Sequence, residues 1–202
     1  MQPDAHAHQA LRRAVLIVAL LNLGYFLIEV IAARSIGSVS LLADSIDFLE
    51  DASLNVLILI ALGWRPRWRA RIGRLLAIIL LIPSLLALIA VFEKLSLPIP
   101  PDAAPLSLAG LGALAVNLTC AFLLARFRAH RGSLAKAAFL SARNDAIANV
   151  AIIGAGIVTA ATVSMLPDLV VGIGILLMNA DAARQVWSAA RRETQPELMP
   201  AE

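Results

Sequence analysis

Six apolar stretches, each near the length a helix needs to cross a bilayer, follow one another in this chain with little between them. That pattern leaves few folds open, because about 20 predominantly apolar residues span the hydrocarbon core as a helix. The stretches are Ala14–Ala33, Val39–Leu62, Leu75–Phe92, Leu106–Phe127, Leu134–Ala161 and Leu166–Val186. The third is the shortest, and Pro83-Ser84 at its middle predicts a kink: the proline removes a backbone bond, and Ser84 can re-satisfy a freed group. Between the third and fourth, "EKLSLPIPPDAAP" reads as an irregular surface turn. The first stretch follows Arg12-Arg13 as a secretory signal would. Asn22 and Glu29 interrupt it, however, and it is long enough to cross, so it reads as a retained span.

Composition places the chain in the same class. It is 60% hydrophobic and 15% charged, where soluble domains sit near 45–50% and about 25%, and its mean hydropathy is +0.82. A net charge of +3 would suit a nucleic-acid partner if the bases formed one face. They lie instead at the ends of the apolar stretches, which is the pattern that orients membrane proteins. The amino terminus, the second and fourth loops and the tail, together with the stretch ends that border them, hold 14 Lys and Arg, the alternate loops hold only Arg34 and Lys94, and Arg143 falls within a stretch. Both termini are therefore expected in the cytoplasm. The expected fold is all-α, a polytopic six-transmembrane-helix bundle over residues 14–187, with a cytoplasmic tail of residues 1–13 and a short one of residues 188–202. The single cysteine, Cys120, lies in an apolar run and has no partner for a disulfide or a Cys/His zinc motif, so it reads as a small buried hydrophobe.

Against this background the second stretch is anomalous. It holds Asp44, Asp47, Glu50 and Asp51, and four acids meeting lipid unpaired would cost on the order of 10 kcal/mol. Such groups are protonated, paired, or turned toward water or a metal. At about 100° per residue, Asp44, Asp47 and Asp51 fall within about 60° of one another, whereas Glu50 stands about 100° from Asp51. Asp47 and Asp51 are i and i+4, with Cβ atoms roughly 5–6 Å apart, close enough to approach one divalent ion. The fifth stretch carries a second polar stripe, Ser141, Asp145 and Asn149, with Asn144 beside it. If that stripe faces the second stretch, Asp145 joins Asp47 and Asp51 in a three-carboxylate cluster. Arg143, the obvious intramembrane base, lies about 160° round the helix from Asp145. The first stretch adds Asn22, Tyr25 and Glu29 on one face, and the fourth adds Asn117. Isolated amides such as Asn22 and Asn117 more often hydrogen-bond helices together than bind ligands. Asp44 reads as a partner of its helix terminus or of outer water, Glu50 as a partner of a basic residue, and Asp168 as an N-terminal cap or dipole partner of the sixth helix.

"SVSLLADSIDFLEDASLNVLIL" resembles the second span of the cation diffusion facilitator (cation efflux) family, whose motif is His or Asp, three residues, then Asp; Asp47 and Asp51 hold those positions. "SARND" is similar to the half-motif of the family's fifth span, which gives Ser141 and Asp145, and Asn22 and Glu29 before "GSVSLLAD" fit its first span. The resemblance covers the six-helix region. It implies a proton-coupled exporter of divalent transition-metal cations (zinc, cobalt, cadmium, manganese or iron), with metal bound at Asp47, Asp51, Asp145 and Ser141. It also implies a homodimer, a lipid bilayer of the bacterial inner (cytoplasmic) membrane type, protons as counter-ion, no bound cofactor and no nucleic-acid partner.

Three departures bear on those expectations. The family's cytoplasmic carboxy-terminal domain has no counterpart, its His-rich loop is reduced to His130, and Ser141 stands where many zinc exporters have His or Asp. The resulting oxygen-rich set weakens a preference for zinc, since imidazole suits zinc while carboxylates suit magnesium, calcium and manganese. His6 and His8 form an HxH pair that either captures metal or is simply solvated. A non-transporting metal sensor or scaffold subunit is the alternative. An enzyme is not expected, because no span holds a His-Glu-xx-His run or a nucleophile-and-base pair. Gly154/Gly156 and Gly172/Gly174 are candidate points of close helix contact.

Overall fold

The computed structural model describes residues 3–61, 85–125 and 132–179. Pro83, Ser84 and His130 lie outside this range, and so do the side chains of His6, His8, Ser141 and Arg143. Every regular element among the described residues is a helix: α1 Pro3–Ile36, α2 Val39–Ala61, α3 at 85–96, α4 Ala103–Ala125, α5 Gly132–Thr162 and α6 Leu166–Asn179. Three segments are long and apolar enough to cross a membrane, namely Gln9–Ile36, Ala103–Ala125 and Asn144–Thr162. α2 equals α4 in length at 23 residues, but its four acids set it apart in composition. Where a helix end lies among the described residues it falls close to the end of an apolar stretch (α2 begins at Val39, α5 ends at Thr162 and α6 begins at Leu166), except that α1 extends back to Pro3, well before Ala14.

α1 packs along α2 and α4 along α5, and the two pairs meet where α1 touches α4 and α2 touches α5. α3 and α6 close the bundle: Ala87 of α3 and Ile175 of α6 share a buried cluster with Ala33, Leu41, Ile46, Leu106 and Ile152. The arrangement is inside-out relative to a water-soluble protein. Large apolar side chains such as Ile31 (68% exposed), Phe122 (81%), Ile147 (65%) and Leu177 (66%) point outward. Asn22, Glu29, Asp44, Asn117, Asn149 and Asp168 are buried. Water would charge about 25 cal/mol for each Å² of that outer apolar surface, whereas lipid charges nothing.

The α1–α2 turn shows how the sequence sets a helix end. Gly37 has φ +64°, a conformation costly to any residue with a Cβ, and Ser38 N donates to Ala33 O at 3.0 Å in the six-to-one bond of a Schellman ending. Ser38 then starts α2, because its Oγ accepts from Leu41 N at 3.1 Å, an N-cap bond. Lys94 of α3 holds the turn from the side, its Nζ donating to Gly37 O at 2.5 Å. Burial pulls this amine below the usual lysine range, and the charge of Asp168 offsets part of the effect.

Only one glycine of each GxG pair makes a close approach. A Cβ on Gly172 would lie 2.8 Å from both Ser40 N and the Val39 carbonyl carbon, whereas nothing lies within 4 Å of Gly174. On α5, Gly156 faces Ser107 while Gly154 meets nothing. Backbone atoms cannot rotate aside, so Gly172→Ala is expected to destabilise the bundle by about 1–3 kcal/mol. Gly174→Ala should be neutral or slightly stabilising through helix propensity. Denaturation midpoints of the two variants in mixed micelles check this; equal midpoints would place the α6–α2 approach wrongly.

Candidate metal centre

Helical spacing alone leaves the polar stripe of α5 without a known partner, and one hydrogen bond supplies it. Asn149 Nδ2 donates to Asp44 Oδ2 at 2.5 Å, and Asn149 Oδ1 accepts from Asn117 Nδ2 at 2.9 Å. The stripe that carries Asp145 therefore faces the acidic face of α2, as the cluster requires. Asp145 acts on Asp47 electrostatically, together with Asp44, Glu50 and Asp51. Asp47 is 9% exposed and Asp51 7%, and Asp145 is half-buried one turn before Asn149. The backbone of Ser141 lies a further turn back on the same helix.

Hydrogen bonds hold these side chains in place. Asn179 Nδ2 of α6 donates to Asp47 Oδ1. Asn55 Nδ2 donates to Asp51 O at 2.7 Å, fixing the helix one turn on. Across the bundle, Tyr25 Oη donates to Ala109 O at 2.6 Å, and its ring leans on Phe48 with centroids 5.0 Å apart. Asn22 Oδ1 accepts from the buried Cys120 thiol at 3.6 Å. Among the described residues, no three His, Cys, Asp or Glu side chains stand close enough to hold a metal ion in this arrangement. The acids share a face and a region of the bundle, and a dication would have to draw them together.

Two acids sit differently from the expectation raised by sequence. Asp168 does not cap α6, since Ser164 Oγ accepts from Leu166 N there at 3.2 Å. It caps α2 from across the bundle: Oδ1 accepts from Ser38 Oγ and Ser40 Oγ at 2.6 Å and from Ser40 N at 3.2 Å, and Oδ2 accepts from Val39 N at 2.8 Å. Asp44 meets neither its helix terminus nor water, being fully buried and bound by Asn149. Asn117 does join helices as expected, through Asn149. Asn179 was not singled out by sequence reasoning. Its signal was slight, a lone amide closing the apolar run of α6.

A bundle that turns its apolar side chains outward and gathers carboxylates inside is an integral membrane protein with an ion-handling interior. Residues 15–193 match the family model of the cation efflux transmembrane domain, and the chain belongs to that family. It is therefore a transporter of metal cations, with a divalent metal ion as substrate and a membrane as its location. Among curated proteins, none matches the chain.

Proposed function

We propose that the protein exports divalent transition-metal cations from the cytoplasm in exchange for protons, through six spans with both termini cytoplasmic, in an inner (cytoplasmic) membrane and as a homodimer. Asp47, Asp51 and Asp145 are the charged ligands, and Ser141 supplies a neutral oxygen. The observation that carries this reading is the Asn149–Asp44 bond, because it turns the Asp145 stripe onto the Asp47/Asp51 face. The excess of Lys and Arg in alternate loops supports the orientation. Metal enters from the cytoplasmic side onto deprotonated carboxylates, rocking of the bundle turns the site outward, and incoming protons displace the ion.

Proton and metal compete for the same oxygens, which couples the two fluxes. Metal affinity should therefore fall as pH falls through the carboxylate range, because each bound proton removes a ligand charge. Isothermal titration with zinc and manganese at stepped pH measures this; a flat affinity would remove the coupling. Flux in proteoliposomes under an imposed pH gradient, screened over zinc, cadmium, cobalt, nickel, manganese and iron(II), tests transport itself. Binding without flux of any of these metals would favour a sensor or scaffold subunit.

A further inference from the structure

Glu29 is the most isolated acid of the interior. It is fully buried, and neither of its carboxyl oxygens receives a hydrogen bond from any described donor. Asp44 Oδ1 is likewise without a donor, its other oxygen being taken by Asn149. Yet the two carboxyl groups interact with each other where α1 packs along α2. Carboxylates accept and do not donate, so two of them in contact repel unless a proton lies between. Both groups are fully buried and three of their four oxygens lack any described donor, so a shared proton is less costly than two ionised carboxylates.

We propose that Glu29 and Asp44 form a proton-binding site, separate from the metal ligands, that holds a proton while the metal site is empty and releases it when metal binds. This inference rests on the antiport reading above. The charged and titratable groups acting on the pair are Tyr25 of α1 and Asp47 of α2. α5 brings the amide of Asn149 and, behind it, α4 that of Asn117; the amide of Asn179 on α6 is held by Asp47, and Lys94 of α3 by the Gly37 carbonyl. With the metal site empty, burial and the mutual repulsion of two carboxylates retain the proton between them. A dication on Asp47 and Asp145 reverses the local field. As rocking of the bundle opens the pair, the proton between Glu29 Oε and Asp44 Oδ1 passes to the water admitted there, leaving two carboxylates opposite the metal. No covalent bond other than O–H is made or broken.

The test uses the full chain in lipid vesicles with zinc as the probe. Infrared difference spectra of the native protein should show a protonated-carboxyl C=O band at neutral pH that is lost on adding zinc. Glu29→Gln, which copies the shape and donor of the protonated acid, should remove the band, and so should Asp44→Asn. Asp47→Asn, measured without metal, should keep it. In proteoliposomes, Glu29→Gln should release fewer protons per zinc bound and weaken the stimulation of zinc flux by the pH gradient, leaving only the share coupled through the metal ligands. Persistence of the band in both Glu29→Gln and Asp44→Asn, or undiminished gradient stimulation in either, would overturn the proposal. If the native protein moves no zinc, the transport reading fails on its own, while the metal-free band and its loss in the two variants still decide whether the pair holds a proton.

Discussion

Asp51→Asn is expected to cut metal affinity by more than the ~10–100-fold typical of losing an outer-shell partner, and Asp47→Asn with Asp51→Asn together should abolish flux. The double variant removes two of the three charges that the proposed site offers a dication, and the amide oxygens that replace them are neutral and weaker ligands. Folding should survive. Asp51 binds Asn55 through its backbone oxygen, which the substitution leaves in place. Removing charge from a buried carboxylate also relieves the mutual repulsion on this face of α2. Asn179→Ala is the graded comparison, because it touches the metal only through Asp47 and should fall within the ~10–100-fold range. Zinc and manganese titrations in micelles, paired with proteoliposome flux, separate the cases. Native affinity in the double variant would take Asp47 and Asp51 out of the site altogether. Loss of flux at native affinity would move their role from binding to the transport cycle.

Periodicity made the polar faces legible. The i, i+4, i+8 stripe of α5 and the Asp44/Asp47/Asp51 face of α2 follow from about 100° per residue, and the observed Asn149–Asp44 bond joins those two faces. The start of the second stretch at Val39 coincides with the start of α2, where Ser38 forms the N-cap. What stayed hidden depends on partners far away in sequence. Asp168 sits 128 to 130 residues from the serines it binds, and Asn179 lies 132 from Asp47. A helix's own period says which way a side chain points and is silent on which helix stands opposite. Glu29 illustrates the same limit: its face was evident beside Asn22 and Tyr25, but its contact with Asp44 arises only when α1 packs along α2.

Asp168→Ala is expected to be the most destabilising single substitution in the bundle, at roughly 3–5 kcal/mol. The carboxylate accepts four hydrogen bonds, from two backbone N–H groups in the first turn of α2 and from two hydroxyls. Those donors belong to Ser38, Val39 and Ser40, all buried to within 3% of complete, so water has little room to replace it. Each buried donor left unmade costs about 1–3 kcal/mol, and the total falls short of the sum because relaxed neighbours share the loss. The negative charge also faces the positive end of the α2 dipole, adding a further ~0.3–1 kcal/mol. Asp168→Asn should recover part of the loss, since one oxygen still accepts while its NH2 group faces donors. The damage should spread to the Gly37 turn, because burial leaves the Lys94 amine reliant on nearby negative charge and Asp168 supplies it. Denaturation in mixed micelles gives the stability change, and hydrogen exchange at Val39 and Ser40 locates it. A loss below about 1 kcal/mol with unchanged exchange would mean that the α2 terminus is capped by solvent rather than by α6. A large loss with exchange concentrated at residues 38–40 would identify this cross-bundle cap as the clamp that keeps α6, and with it Asn179, against the acids of α2.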